Sequence, residues 1–452
     1  MQLIRKYNVP APRYTSYPTV PYWEESGFDR GRWEGLLPAA FTFANALDGI
    51  SLYIHLPFCE SLCTYCGCNK YITVNHAVEE PYIQSLLKEW RLYLRLFSGR
   101  PRIREIHLGG GTPAFFSPEN LQQLLSGIYE SADLLPEASL SFEAHPNNTT
   151  LRHLEALYEM GFRRISVGVQ DLDERVQQII NRVQPYENVA AVVEAARRTG
   201  FSSVNFDLIY GLPLQTLAGT ENTIRQVMQL HPDTISFYSY AHVPWVKGVG
   251  QRRFSEADLP KDEEKRALYE LGKTLFIAKG YTEIGMDHFA AAGSELHRAS
   301  QEGTLHRNFM GYTVARSSLL IGLGASAISD SWNAYAQNEK HIPSWQETVN
   351  RGLLPIVRGH ALTAEDMRLR NHIQSLMCRL ETSLNRADAH CNAVMEGMGR
   401  LRELEKDGLV ALLPGKIQVT AEGRPFIRNI CMAFDARLWR KAPQSRLFSQ
   451  AI

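Results

Sequence analysis

Residues 51–70 read SLYIHLPFCESLCTYCGCNK, and the reading of the fold turns on them. A mostly apolar run, 51–57, ends at Pro57 and passes directly into Cys59, Cys63, Cys66 and Cys68. Such a run, bounded by a turn residue, reads as a buried strand, so the cysteine loop begins where the first strand ends. The spacing is Cys-x3-Cys-x2-Cys-x1-Cys. Thiolates ligate zinc and iron–sulfur clusters alike. A structural zinc site would take all four sulfurs in a closed tetrahedron, whereas a cluster on the first three leaves one iron open. Spacing alone leaves both readings standing. Cys378, Cys391 and Cys431 are scattered, and an odd total of seven argues against a disulfide scaffold. These three read as small buried hydrophobes.

Working outward, five more strand candidates follow: REIHLGG (104–110), LSFEAHP (140–146), RISVGVQ (164–170), VNFDLIY (204–210) and TISFYSY (234–240). Amphipathic stretches such as 80–97, 118–132 and 218–230 separate them. Strands alternating with helices imply an α/β fold with a parallel sheet and right-handed crossovers. Buried parallel strands usually read as continuous apolar runs, yet three of these alternate. Leu140, Phe142 and Ala144 oppose Ser141, Glu143 and His145; Val204, Phe206 and Leu208 oppose Ser203, Asn205 and Asp207. Likewise Ile165, Val167 and Val169 oppose Arg164, Ser166, Gly168 and Gln170. An apolar face packs on helices, and a polar face in a parallel sheet needs a wet or ligand-filled interior. The pattern predicts an open, partial (β/α)6 barrel.

Residues 241–340 are less regular, with a helix near 261–279 and strands near 281–286 and 318–323. Further on, helices at 364–380 and 394–406, a hairpin in 408–420 and a helix from about 421 predict a mainly helical, winged-helix-like C-terminal domain. The expected division is an N-terminal arm (1–45), a catalytic barrel with extension (46–345) and the C-terminal domain (346–452). The basic tail, Arg437, Arg440, Lys441 and Arg446, reads as a solvated helix end. Across 452 residues, 48 basic and 48 acidic side chains cancel, which argues against nucleic-acid binding. No run approaches the length of a membrane span and the first residues carry no apolar leader core, so a cytoplasmic enzyme is expected.

The second strand ends in Gly109-Gly110-Gly111-Thr112-Pro113, where glycines allow close approach of backbone to a ligand. Because βα loops share one end of a barrel, this turn faces the same mouth as the cysteines. Together, Cys-x3-Cys-x2-Cys and GGGTP resemble the radical S-adenosylmethionine (SAM) enzymes. Matching segments such as GVQD (168–171) and HRNFMGY (306–312) run along the chain, and RYTSYPT (13–19), the extra Cys68 in CGCNK (66–70) and RNICM (428–432) narrow the likeness to the oxygen-independent coproporphyrinogen III oxidase branch.

That resemblance implies a [4Fe–4S] cluster on Cys59, Cys63 and Cys66, with Cys68 free of it, and two molecules of SAM. It implies SAM cleavage to a 5′-deoxyadenosyl radical and conversion of two propionates of coproporphyrinogen III to vinyl groups. Tyr53 is placed at the catalytic centre beside the cluster, and Tyr53, Gly110, Glu143 and Ile328 at the first SAM. Tyr65, Gly111, Thr112, Gln170, Arg182, Asp207 and Ala241 are placed at the second. Arg13, His306, Arg307 and Arg428 are the candidates for the substrate's propionates. A flavodoxin or ferredoxin-type electron donor and a monomeric state are expected, with neither nucleic acid nor membrane as partner. Met310, Ala114 and Ala433 depart from the branch's usual glutamine, threonine and cysteine. They keep in view a relative that binds haem or modifies another tetrapyrrole.

Overall fold

The computed structural model describes the chain except residues 1, 24–26, 246–249, 252, 442, 444–446 and 452. Arg446 of the basic tail therefore lies outside the described residues. Six parallel strands form the centre: β1 (Ile50–Leu56), β2 (Arg102–Gly110), β3 (Asp133–Ala144), β4 (Arg164–Gln170), β5 (Ser203–Tyr210) and β6 (Thr234–Ser239). They pair in that order, each parallel to the next. Helices α2 (Glu79–Leu94), α3 (Pro118–Tyr129), α4 (Leu151–Glu159), α5 (Tyr186–Thr199) and α6 (Leu217–Val227) connect them. This is the partial barrel expected from the alternation.

The alternation works as the residue types dictate. Phe142, Val167, Phe206 and Ile235 point outward and are fully buried against the helices. Each contributes on the order of 1.5–3 kcal/mol by leaving water. Ser141, Glu143, Ser166, Asn205, Asp207, Ser236 and Tyr238 point inward and line the lumen. Glu105 and His107 of β2 join them, continuing the polar face around the barrel.

The sheet is wider than six strands. Among the described residues it has twelve, because both edges are extended. At one edge β6 pairs antiparallel with β8 (His288–Ala291), which pairs with β7 (Tyr281–Ile284). The strand expected over 281–286 thus ends at Ile284, where Gly285 at φ 59° turns the chain back. At the other edge β9 (Leu320–Leu323) runs parallel to β1, and β10 (Ile328–Asp330), β11 (Ala334–Asn338) and β12 (Ile356–Ala361) follow antiparallel. β9 is the strand expected near 318–323, whereas β10, β11 and β12, three to six residues long, are too short for periodicity to register.

The N-terminal segment divides between two cores. Helix α1 (Arg30–Leu47), capped by Asp29 accepting from the Arg32 amide, buries Trp33, Leu37 and Phe41 in the barrel's core. Ala11, Tyr14 and Tyr17 instead pack among the C-terminal helices. After α7 (Asp262–Ala278), the C-terminal unit contains α8 (Ala364–Arg379), α9 (Asn392–Lys406) and a three-stranded antiparallel sheet. That sheet comprises β13 (Glu381–Ser383), β14 (Val410–Leu413) and β15 (Lys416–Val419), the last two forming the expected hairpin. The single helix expected from about 421 is instead a 3-10 turn at Arg424–Phe426, α10 (Ile427–Met432) and a separate helix at Ala436–Arg440. Pro425 favours a helix start rather than its middle, and Asp435 starts the last one by accepting from the Leu438 amide at 3.0 Å. No helix among the described residues is long and apolar enough to cross a membrane.

Candidate active site

The C-terminal ends of β1–β6 surround a cavity of about 440 Å³. Cys59, Cys63, Cys66 and Cys68 all lie on its wall, as do Gly110, Gly111 and Thr112. Backbone bonds bring the two segments together: the Gly111 amide donates to Leu56 O at 2.8 Å and the Thr112 amide to Phe58 O at 2.9 Å. Gly111 cannot carry a side chain here, since a Cβ would sit 2.6 Å from the Pro57 carbonyl carbon. The middle of the cysteine loop is tied to the turn after β4. There Thr64 N donates to Ile180 O at 2.9 Å and Asn181 Nδ2 to Leu62 O at 2.8 Å.

The donor set fits an iron–sulfur cluster better than a single metal ion. Among the described residues no three His, Cys, Asp or Glu side chains converge closely enough to hold one ion. A tetrahedral zinc site needs every sulfur within about 2.3 Å of the metal, whereas a cluster holds its thiolates farther apart. Hydrogen bonding from Cys68, with Lys70 and Arg182 nearby, pulls the Cys66 thiol below its ordinary pKa. Thr112 Oγ1 donates to Cys59 Sγ at 3.4 Å. Cys68 is the exposed member of the four.

On one side of this loop stands Glu143, whose Oε2 accepts from the Gly110 amide at 3.1 Å while Oε1 lies 3.4 Å from His107 Nε2. Burial pushes this carboxyl up, but His107 and the Gly110 amide outweigh it and hold it below the usual carboxylate range. Gly110 has φ 116°, and a Cβ there would strike the His55 ring at 2.5 Å. Tyr53 lies beneath, its hydroxyl 3.0 Å from His55 Nδ1 and its ring stacked on His107. His55 Nε2 in turn lies 2.8 Å from the carbonyl of Asn69, just past the cysteines.

On the other side stand Gln170, Arg182 and Asp207, all on the cavity wall. Gln170 adopts φ 65° at a register shift between β4 and β5, which keeps the strand's last side chain turned to the mouth. Arg182 Nη2 donates to Gly168 O at 2.7 Å, Nε to Gln184 Oε1 at 3.0 Å, and Nη1 reaches Cys63 Sγ at 3.7 Å. Asp207 accepts from Ser166 Oγ and Asn205 Nδ2, each at 2.9 Å. Burial pushes the Asp207 carboxyl above its ordinary range. Neither residue forms an ion pair with the other among the described residues; each bonds instead to β4, Asp207 at Ser166 and Arg182 at Gly168.

Gln251 carries a link that sequence reading missed. Its Nε2 donates to Tyr65 O at 3.1 Å and Ala241 O at 3.0 Å, joining the cysteine loop to the end of β6. Nothing local marks it, for it lies in the irregular stretch after 240. His107 and Tyr238 were also missed, although strand parity alone would have found them. Ile328 of β10 does not line the cavity; its backbone packs against Gly322, the register partner of Tyr53, and its side chain against the group formed by Trp23 and Tyr335.

The four candidate substrate residues form a chain of neighbours rather than one pocket, with Arg307 Nη2 donating to Arg13 O at 3.4 Å. Arg13 and Arg428 meet at a small cavity between the arm, barrel and C-terminal unit. Arg428 donates to carbonyls of both chain ends, Pro12 O at 3.0 Å and Gln450 O at 2.7 Å among them. Arg307 is buried over the Tyr312 ring, with Nε and Nη1 unpartnered. His306 turns to Gln374 of α8, and burial pushes its pKa down to about 4.

A partial (β/α)6 barrel with three cysteines after its first strand, a glycine turn after its second and polar side chains lining the mouth defines a radical SAM enzyme. Residues 53–227 match the radical SAM superfamily. The chain is 39% identical to oxygen-independent coproporphyrinogen III oxidase of Escherichia coli, over all of this chain and 98% of that one. It is 37% identical to the protein of that name from Synechocystis sp., over all of this chain and 97% of the relative. A solved structure of the E. coli coproporphyrinogen III oxidase, described as a radical SAM enzyme, superposes with TM-score 0.88 at 37% identity. That superposition covers 94% of this chain and 97% of the other. The chain belongs to the oxygen-independent coproporphyrinogen III oxidase family, and a [4Fe–4S] cluster and SAM are its cofactors.

Proposed function

We propose that this chain converts two propionate side chains of coproporphyrinogen III to vinyl groups without oxygen, giving protoporphyrinogen IX. One observation carries the reading: the cysteine loop shares its cavity with an aspartate and an arginine, both half-buried and neither ion-paired among the described residues. Cys59, Cys63 and Cys66 hold the cluster. When bound, the reduced cluster and SAM supply a 5′-deoxyadenosyl radical that takes a hydrogen atom from the propionate β-carbon, after which carbon dioxide and one electron leave.

The chain's own residues orient these partners. Tyr53, Gly110, Glu143 and Ile328 serve the first SAM, and the ionised Glu143 suits an ammonium or ribose hydroxyls. Tyr65, Gly111, Thr112, Gln170, Arg182, Asp207 and Ala241 serve a second. Holding Asp207 and Arg182 partly out of water without countercharge costs free energy. A methionyl group, with ammonium and carboxylate together, neutralises both. Arg13, His306, Arg307 and Arg428 are assigned to the substrate's carboxylates. Electrons come from a flavodoxin or ferredoxin-type donor, and the chain works as a monomer in the cytoplasm, where thiolate ligands stay reduced.

The test is anaerobic reconstitution with iron and sulfide, then incubation with SAM, a reductant and coproporphyrinogen III. Mass analysis of the oxidised product should show loss of two carboxyl groups. A reconstituted protein that cleaves SAM but leaves all four propionates intact refutes the reading.

A further inference from the structure

Outside the lumen, where the arm, barrel and C-terminal unit meet, lies a cleft of about 40 Å³. Arg13 from the arm, Arg266 from α7, and Arg424 and Arg428 from the C-terminal unit all line it. Lys265 sits beside it, its Nζ donating to Tyr240 O at 3.0 Å over the Tyr210 ring. Two carboxylates share the wall, and both are engaged. Glu283 takes Lys273 at 2.8 Å and the Tyr269 hydroxyl at 2.6 Å, with Arg424 at 3.5 Å. Asp287 lies 2.7 Å from His288.

Arg266 is paired with Glu270, yet cationic charge is still in excess. Arg13 has Ser239 O at 2.5 Å, Arg428 has main-chain carbonyls and Lys265 has Tyr240 O, and none of the three has a carboxylate partner among the described residues. Arg424 Nε is buried with no hydrogen-bond partner among the described residues, while its Nη2 donates to Glu283 O at 3.2 Å. Burial, then the neighbouring Arg13, pushes Lys265 down to about 7 and Arg428 down to about 9. Like charges drawn together in this way are relieved by an anion. The cleft has room for a few heavy atoms, the size of a carboxylate head, and arginine forks match carboxylate oxygens in pairs.

We infer that this junction binds a carboxylate. Resting on the reading above, its source is a non-reacting propionate of the tetrapyrrole, and a free small anion is the other source of the same chemistry. The junction lies across the sheet from the lumen, so only a substituent reaching over the end of β6 enters it. Consecutive residues at the end of β6 serve the two cavities, Tyr238 on the lumen wall and Ser239 on the junction wall. Because the cations come from three separate parts of the chain, an occupant would fasten the arm and C-terminal unit to the barrel.

The experiment uses the full, cluster-loaded protein with coproporphyrin III, its tetramethyl ester, sodium propionate and inorganic phosphate as probes. Binding is read by porphyrin absorbance and fluorescence, and anion effects by thermal shift. An Arg266→Gln, Arg424→Gln double variant should bind coproporphyrin III ~10-fold or more weakly, through lost charge-assisted hydrogen bonds. Its affinity for the ester should not change. Arg424→Gln alone, at a half-exposed position, should show a smaller loss in the same direction and guards against misfolding of the double variant. Stabilisation of the parent by propionate or phosphate, lost in the variants while porphyrin affinity holds, would support the site with a free anion as occupant. Equal porphyrin affinity and equal anion response in parent and folded variants would overturn the inference. Decarboxylation by the parent is scored separately, so failure of the proposed function is distinguishable from failure of this site.

Discussion

The Arg182 guanidinium lies 3.7 Å from the Cys63 sulfur, so one cation spans the cysteine loop and the turn after β4. The same side chain holds Gly168 O at 2.7 Å and stays clear of Asp207. Arg182 and Asp207 thus stand in one cavity without pairing with each other. This arrangement makes several variants informative.

Cys59→Ser, Cys63→Ser and Cys66→Ser should each abolish the brown chromophore after anaerobic reconstitution, and SAM cleavage with it. Cys68→Ser should keep both. Iron and sulfide analysis with a visible spectrum checks this; loss of iron from Cys68→Ser alone would reassign the ligands.

Asp207→Ala should keep fold and cluster, because the residue has hydrogen bonds to Ser166 and Asn205 but no ion pair to lose. Bound SAM should fall from two equivalents to one. Equilibrium dialysis with labelled SAM measures it, and unchanged stoichiometry would remove Asp207 from the second site.

Gly168→Ala tests positioning at the same place. Its new methyl would fall 2.7 Å from Arg182 Nη2 and 2.8 Å from Gln170 Nε2, so both side chains must shift. Weakening of SAM binding by about ten-fold, ~1.4 kcal/mol, is expected with iron content unchanged. Parent-like affinity would mean that neither side chain bears on SAM.

Acid should weaken the C-terminal unit through Asp366. Burial pushes its carboxyl up, but His360, Arg437 (Nη2 at 2.8 Å) and the Thr363 amide outweigh burial and leave the folded pKa well below the ordinary value. A carboxyl depressed in the folded state adds stability that is fully present above its unfolded pKa, near 4, and is lost as pH falls towards the folded value. Asp366→Asn should cost about 3 kcal/mol at pH 7, the scale of breaking a buried pair. The gap between variant and parent in thermal melts should close below pH 4. A gap independent of pH would point to packing instead.

Much of the site is legible in local pattern. The cysteine spacing, the glycine turn and the alternation in β3, β4 and β5 are short-range features, and a period of two assigns Glu143, Ser166 and Asp207 to the lumen without any tertiary knowledge. The hairpin at 410–419 was legible for the same reason. Of the sheet's outer strands, β7 and β9 were legible as short strand-like pieces, but β8, β10, β11 and β12 were not, being too short to show a period. Nor was the division of the arm between two cores, since nothing in RYTSYPT says which neighbour covers Tyr14 and Tyr17. Tertiary structure alone decided that Gln251 joins Tyr65 to Ala241, that Arg428 holds both chain ends, and that Arg182 meets Cys63 from 119 positions away. Alternation follows from the stereochemistry of one strand, so neighbouring residues suffice to determine it. Contacts between distant residues depend on how every intervening strand and helix turns, and that path exists only in the folded chain.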